Sequence, residues 1–201
     1  MADKTKEKIL NTALKLFSQK GYLGATTKEI AKSAGIAEVT LFRYFPSKSA
    51  LFEEVINTYS FLPTLKETLE KVKKEPCERA LKIIAKEFIK VLENKKDLIK
   101  IMHSEMHRYP EEIKKIHENI IEKTITVLSE YFKNLQEGKI LREINTVFAA
   151  RAFLGMFFSY FYGKEIRECL NLKKENPEEV INTYIDLFLK GILKIKEIEG
   201  S

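Results

Sequence analysis

Residues that interrupt regular structure are scarce in this sequence. Its 201 residues include only 8 Gly and 5 Pro, while 44% are hydrophobic and 32% are charged. A collagen-like or low-complexity chain would contain far more Gly and Pro, and a disordered chain would contain fewer apolar residues. The composition therefore excludes these classes and indicates a folded globular protein with a substantial core.

Cysteine is also rare, and no disulfide framework is predicted. Cys77 and Cys169 are the two cysteines, and they lie far apart in the sequence. No apolar stretch follows the first four residues, so a signal peptide is not predicted either. We therefore expect a reduced protein that is located in the cytoplasm.

No hydrophobic run is long enough to cross a membrane. The most apolar stretch, residues 147–162, is interrupted by Arg151 and Ser159. A spanning helix requires about 20 nearly uninterrupted apolar residues. We interpret this stretch as a buried helix, and no membrane partner is expected.

Acidic residues are few in the first quarter of the chain. Residues 1–50 contain nine basic and four acidic side chains, whereas residues 51–201 contain 26 basic and 25 acidic ones. The formal net charge of +6 is thus concentrated at one end. Such asymmetry is expected where one end of a protein meets a polyanion. A Lys-rich end that is merely a solvated surface would have the same composition.

Apolar residues recur at helical spacing along nearly the whole chain, and no alternating run predicts a strand. We predict an all-α protein of about nine helices. The first helix begins at Thr5 and ends near Gly21, which can adopt a left-handed cap conformation. A helix near residues 47–73 is kinked or ended by Pro63. Later helices are predicted at residues 76–93, 97–108, 110–135, 145–170 and 177–198.

Residues 27–45 have the layout of a helix-turn-helix. The small residues Ala31 and Ala34 stand where two short helices must cross, and Gly35 suits the positive φ of the turn. The core beneath the two helices would be sealed by four apolar residues: Ile30, Ile36, Leu41 and Phe45. The requirements of the motif are met.

The outward face of the second short helix is predicted to enter the major groove of DNA, while residues at helix ends bind phosphates. The groove residues are Glu38, Thr40, Phe42, Arg43 and Tyr44, and the phosphate residues include Thr26, Thr27 and Lys48. The complete predicted DNA-binding set adds Lys28 and Ala37 to these residues.

Further short segments complete a larger pattern around this motif: Ile9-Leu10 with Ala13, Leu16-Phe17, Gly21-Tyr22, Ala25-Thr26-Thr27, Glu29-Ile30-Ala31, Ala34-Gly35-Ile36, Thr40-Leu41-Phe42, Tyr44-Phe45, and Lys48 with Leu51. Over residues 5–52 the chain closely resembles the amino-terminal domain of TetR/AcrR family transcriptional regulators. The resemblance implies a helix-turn-helix DNA-binding domain at residues 1–46. It also implies a larger helical domain at residues 47–201 that binds a ligand and pairs two chains.

Three positions depart from the pattern of that family. Ala37, Val39 and Phe42 stand where Ser, Gly and Tyr are common, so a hydroxyl cap, a close backbone approach to phosphate and a phenol contact are in doubt. Arg43 is then the candidate for a base contact, because a guanidinium can bond guanine O6 and N7 together. Glu38 could read cytosine N4, repel mismatched sites, or be a solvated carboxylate that the helix dipole stabilises.

The last two predicted helices are apolar on several faces, which a monomer of this size could hardly bury. We predict that two helices from each chain form a four-helix homodimer interface. Its predicted residues are Ala152, Gly155, Ser159, Tyr184, Leu187, Phe188, Gly191 and Ile195. Core packing is the alternative for each aromatic residue.

An effector pocket is predicted between the middle helices, where adaptable Met side chains suit a loosely specific ligand. Its predicted lining is Phe61, Phe88, Leu92, Met102, His103, Met106 and Phe157. Core packing is again the alternative for each residue.

His103 and His107 lie four residues apart on one face of a predicted helix, with Glu105 and His117 nearby in sequence. This spacing can hold a metal ion, but only one extra ligand is suggested and no HExxH pattern exists. No Gly-rich phosphate loop and no nucleophile elbow is present. We therefore expect no metal, no cofactor and no catalysis.

These features predict a homodimeric DNA-binding regulator, a repressor that binds a palindromic operator. A small apolar or amphipathic effector would release it by shifting the population of two states. One alternative is a constitutive DNA-binding dimer that has no effector. The other is an enzyme or metal protein, which only the histidine pair supports.

Overall fold

A computed structural model gives the structure of residues 2–173 and 175–193, with side chains described from residue 4 onward. In these ranges the chain forms ten α-helices and one 3-10 turn, and the all-α prediction is confirmed. The helices are α1 (Ala2–Gly24), α2 (Thr27–Ser33), α3 (Glu38–Tyr44), α4 (Lys48–Tyr59), α5 (Phe61–Lys71), α6 (Cys77–Asn94), α7 (Lys96–Glu105), α8 (Glu111–Glu137), α9 (Thr146–Cys169) and α10 (Pro177–Ile192), with the 3-10 turn at Met106–Arg108.

The helices belong to two compact units. The first unit contains Met1–Pro63 and Asn94–Ile121, and the second contains Thr64–Glu93 and Glu122–Ser201. These units divide the chain by packing, whereas the predicted boundary after residue 46 divides it by function. That boundary therefore stays a prediction.

In the first unit, the predicted apolar faces form the core. Ile9, Ala13 and Phe17 of α1 are fully buried, and the residues expected beneath the helix-turn-helix are buried or half-buried. Residues from the second segment of this unit complete the same cluster: Leu98, Met102, Tyr109, Ile113 and Ile120. The helix-turn-helix thus shares one core with α7 and the beginning of α8.

The first helix begins at Ala2, before the predicted start at Thr5. Its helical backbone is interrupted at Gly21, where its end was predicted, with φ 69° and ψ 176°, and a short helical stretch then continues to Gly24. The positive φ expected at Gly21 is present. A Cβ at this position would overlap a carboxylate oxygen of Glu105. Only glycine combines this backbone conformation with so close a neighbour.

The segment near residues 47–73 forms two helices. α4 ends at Tyr59, Ser60 is extended, and α5 begins at Phe61. Pro63 therefore lies in the first turn of α5, where its missing N–H would have had no helical acceptor. This break gives one helix more than expected.

The second unit is held together by aromatic rings. Phe153 of α9 contacts Phe132 of α8 and Phe188 of α10, with ring centroids 6.1 and 5.4 Å apart, and Phe157 lies 5.1 Å from Phe153. Phe132, Phe153 and Phe157 are fully buried. These rings pack together with buried aliphatic side chains in the core of the unit.

Two further boundaries differ from the predictions. The helix predicted at residues 97–108 changes to the 3-10 turn after Glu105, so its last residues are not α-helical. The described part of the last helix ends at Ile192, and the predicted end at Ile198 lies outside the described residues. In the described part of the chain, no helix combines the length and hydropathy of a bilayer-spanning segment.

We predict that Gly21→Ala lowers the free energy of unfolding by at least about 2 kcal/mol, because alanine resists this backbone conformation and its Cβ displaces Glu105. Gly163→Ala is the matched control. No atom lies within 4 Å of a Cβ built at Gly163, which is inside α9. Alanine there should be neutral or stabilise by up to ~1 kcal/mol. Urea unfolding at one protein concentration measures both, and equal stability of Gly21→Ala and the parent would contradict the prediction.

Candidate nucleic-acid interface

The two short helices α2 and α3 are joined by a tight turn. Gly35 has φ 66°, as expected, and its N–H donates to the carbonyl of Lys32 at 3.1 Å. The N–H of Ile36 donates to the carbonyl of Ala31 at 3.0 Å, while Ala31 and Ala34 are buried. Small side chains at the crossing let the backbones approach, so the position of α3 is determined by α2.

The N-terminus of α2 forms a capping box, in which Thr26 and Glu29 each accept from the backbone N–H of the other. The Thr26 hydroxyl accepts from the N–H of Glu29 at 3.2 Å, and the Glu29 carboxylate accepts from the N–H of Thr26 at 3.3 Å. Lys20 donates to the same carboxylate at 2.8 Å. The hydrogen bond from Lys20, followed by that from Thr26, lowers the pKa of Glu29. The Thr26 hydroxyl was predicted to bind phosphate. In the structure it caps the N-terminus of α2.

A second carboxylate connects α2 to α3. The Thr27 hydroxyl donates to Glu38 Oε1 at 2.6 Å, so the first turns of the two helices are linked directly. The sequence alone does not predict this pair. No local pattern reveals it, because the two residues are eleven positions apart and meet only when the motif has folded.

The outward face of α3 carries exposed apolar and basic side chains. Val39 is 69% exposed and Phe42 is 42% exposed, and Arg43 is exposed beside them. Thr40 and Tyr44 are half-buried, so they lie at the edge of this face. Val39 was absent from the predicted DNA-binding set, although its spacing from Phe42 and Arg43 could have indicated it.

The two remaining predicted positions, Lys28 and Ala37, are both exposed. Lys28 lies on α2. Ala37 is the N-cap of α3 and makes no side-chain cap, as expected for a residue without a hydroxyl.

Lys48 begins α4 and lies above an aromatic ring. Its Nζ is 4.5 Å from the centroid of the Tyr22 ring, which is a cation–π distance. Burial lowers the pKa of the Lys48 ammonium. The Ser47 hydroxyl caps α4 by accepting from the N–H of Ala50 at 3.0 Å. The ammonium is thus held near a helix N-terminus.

In the second unit, most of the predicted dimer residues are on the surface. Ala152, Gly155, Ser159 and Gly191 are exposed, Leu187 is 61% exposed, and Tyr184 is half-buried. Phe188 differs, because it packs inward against Phe132 and Phe153. Ile195 lies outside the described residues.

An open groove of about 570 Å³ runs between α9 and α10 and includes several of these residues. Its apolar and small lining residues include Phe148, Ala152, Met156, Leu187 and Gly191. Phe148 is 68% exposed, so this unit presents an apolar ring to its surroundings. A smaller cavity of about 180 Å³ lies near the end of α9 and is lined by charged residues such as Lys164 and Arg167.

The predicted pocket residues are divided between the two units. Phe61, Met102, His103 and Met106 lie in the first unit, whereas Phe88, Leu92 and Phe157 lie in the second. Phe61, Met102, Phe88, Leu92 and Phe157 are buried, Met106 is half-buried and His103 is exposed. Neither the groove between α9 and α10 nor the smaller cavity near the end of α9 is lined by any of them. The effector pocket stays a prediction.

The histidines do not form the predicted i, i+4 pair on one α-helix. His103 is on α7, and His107 is in the 3-10 turn that follows. Burial lowers the pKa of His117, and the charge of His103 lowers it further. Among the described residues, no group of three or more metal-binding side chains is present.

Comparison with known families gives two matches that cover most of the chain. Residues 9–55 match the family model described as "Bacterial regulatory proteins, tetR family". Residues 79–191 match the model described as "AefR-like transcriptional repressor, C-terminal domain".

Individual proteins and solved structures agree with these matches. The chain is 31% identical to the HTH-type transcriptional regulator YvkB of Bacillus subtilis over 94% of this chain and 97% of that protein. A proposed fatty acid metabolism regulator of Clostridium perfringens superposes with a TM-score of 0.71 and 26% identity, covering 94% of this chain and 100% of that one. A proposed TetR-family regulator from Mesorhizobium loti has a TM-score of 0.75 and 20% identity, covering 96% and 99% of the two chains.

Proposed function

The chain belongs to the TetR family of bacterial regulatory proteins, and from this we propose that it is a repressor that binds a palindromic operator as a homodimer and is released by a small apolar or amphipathic effector. The observation that carries the proposal is the exposed Val39, Phe42 and Arg43 face of α3, held out by the tight α2–α3 turn. The match of residues 79–191 to a repressor C-terminal domain supports repression. On this proposal the protein acts on the chromosome, in the cytoplasm.

In this proposal the face of α3 reads the major groove. Arg43 bonds guanine O6 and N7, and the exposed Val39 and Phe42 contact thymine methyl groups. The backbone N–H groups of Thr27 and Lys28 at the start of α2 bind phosphate, as free N–H groups at helix N-termini do. Lys48 contributes a further phosphate contact at the start of α4.

We further propose that the exposed stripe of α9 and the neighbouring face of α10 pair with the same surfaces of a second chain. Ala152, Gly155 and Ser159 recur at intervals of three and four residues, so they lie along one side of α9. Leu187 and Gly191 are exposed on α10, and both line the groove between α9 and α10. Small residues allow helices to approach closely, and burial of Leu187 and Phe148 would supply apolar area.

The effector is proposed to act by differential affinity for two conformations of the dimer. A ligand that prefers the conformation with wrongly spaced recognition helices would lower operator affinity. Fatty acyl compounds are the first candidates, because the Clostridium perfringens relative is described as a fatty acid metabolism regulator. The alternative is a constitutive DNA-binding dimer with no effector. The absence of an effector cavity from the helical domain predicted at residues 47–201 would favour this alternative.

Arg43 and Lys48 should differ in what they contribute to DNA binding. We expect Arg43→Ala to cost roughly 1–3 kcal/mol on the operator and to relax preference at one base pair. We expect Lys48→Ala to weaken operator and random DNA alike and to reduce the salt slope by about one. Fluorescence anisotropy at several salt concentrations, on DNA upstream of the protein's own gene or on selected sites, measures both. Equal losses on operator and random DNA would refute base reading by Arg43.

The proposed interface is tested by Leu187→Glu, which should convert the dimer to a monomer. A carboxylate buried in an apolar interface has no partner and costs several kcal/mol. Leu23→Glu is the matched control, because Leu23 is also partly exposed, at 43%, but belongs to the first unit. Sedimentation velocity at micromolar concentration measures the mass of each variant. A Leu187→Glu protein that remains dimeric would place the interface elsewhere.

Effector response is tested by titrating long-chain fatty acids and acyl-CoA into the protein–operator complex. A compound that binds the protein should raise the apparent Kd for operator about tenfold or more, in proportion to its differential affinity. Calorimetry on the free protein establishes binding independently. Compounds that bind tightly but leave operator affinity unchanged would favour the constitutive dimer.

A further inference from the structure

A polar contact joins the end of α7 to the break in α1. Gly21 leaves the helical conformation, and the Glu105 carboxylate lies directly against it. These residues are more than eighty positions apart in the sequence, but both lie in the first unit. The contact therefore links the segment of residues 94–121 to α1 within the core of the first unit.

The Tyr109 hydroxyl is the centre of this contact. It accepts from the N–H of Tyr22 at 3.3 Å and donates to Glu105 Oε2 at 3.4 Å, and its side chain is 3% exposed. A carboxylate can only accept, so the single hydroxyl proton of Tyr109 is directed to Glu105. The oxygen lone pair then faces the N–H that follows the break at Gly21. The order of donors and acceptors is thus determined by chemistry as well as by distance.

The Tyr22 ring carries the contact to the DNA-binding surface. It packs edge-on against Tyr109, with centroids 6.0 Å apart, and against Phe52 of α4 at 5.1 Å. Its face supports the Lys48 ammonium at 4.5 Å. The backbone position of Tyr22 therefore determines where its ring lies, and the cation–π contact with that ring determines where the Lys48 ammonium lies.

We propose that Tyr109 and Glu105 are positioning residues for DNA binding, which hold Tyr22 so that the Lys48 ammonium is ordered for a phosphate of the operator. The inference rests on the proposed function, because it requires that Lys48 contacts DNA. It gives the 3-10 turn after α7 a role in DNA affinity without contact to DNA. A displacement of this turn would loosen Lys48 and weaken binding to all sequences alike, since phosphate contacts carry no sequence information.

Tyr109→Phe tests the inference, because it removes the hydroxyl and keeps the ring. Loss of the two long hydrogen bonds of the Tyr109 hydroxyl, from the N–H of Tyr22 and to the Glu105 carboxylate, should weaken DNA binding between about twofold and tenfold, on operator and on random DNA. In the Lys48→Ala background the same change should have no further effect, because the group being positioned is absent. A role in overall stability alone would give the same loss in both backgrounds. Glu105→Gln is a second variant, whose amide can donate to Tyr109 and so disturb the hydroxyl orientation.

Tyr160→Phe is the matched control. In the described part of the chain, the Tyr160 hydroxyl is buried without a hydrogen-bond partner, and Tyr160 lies in the second unit. Its removal should leave DNA affinity unchanged, and circular dichroism verifies that each variant is folded. If Lys48→Ala weakens binding but Tyr109→Phe and Glu105→Gln do not, or if the losses are additive, the inference is overturned alone. If Lys48→Ala leaves DNA affinity unchanged, the proposed phosphate contact is overturned together with it.

Discussion

The apolar side of α1 is the surface on which the first unit is assembled. α2, α4 and α7 all pack against it, and its residues Ile9, Ala13 and Phe17 are fully buried. The burial of a large ring such as Phe17 contributes roughly 1.5–3 kcal/mol. Because α2, α4 and α7 all pack on α1, the helix-turn-helix and α7 share one core.

In residues 1–50, which we call the basic N-terminal segment, internal hydrogen bonds engage part of the negative charge. Glu29 accepts from Lys20 and Thr26, and Glu38 accepts from Thr27, so two of the four carboxylates in residues 1–50 have internal structural roles. A carboxylate near DNA would repel phosphate, but here it stabilises helix N-termini, where negative charge is favourable. Basic side chains such as Lys28 and Arg43 remain exposed. The excess of basic over acidic side chains in residues 1–50 is therefore available to a polyanion.

In the second unit, α9 and α10 carry apolar side chains on two sides, one buried in the core and one exposed. Phe153 and Phe188 turn inward into the aromatic cluster, while Phe148 and Leu187 lie exposed along the groove. The inner side supplies the core of the unit, and the outer side is suited to burial against another surface. This arrangement explains why the sequences of α9 and α10 are apolar around much of their circumference.

Local physical chemistry determined much of what the sequence reveals. Helical periodicity and the positive φ of Gly35 depend on neighbours within a few positions, and the all-α class and the helix-turn-helix were predictable from them. The apolar faces of α1 and of the motif were predictable for the same reason.

Tertiary structure decided the features that depend on distant partners. The Thr27–Glu38 pair and the Tyr22–Tyr109 contact join residues 11 and 87 positions apart, and no local pattern specifies them. Leu187 and Phe188 are adjacent, yet a rotation of about 100° per residue puts one on the surface and the other in the core. Which of them faces inward depends on where Phe132 and Phe153 lie, and only the packed unit establishes that.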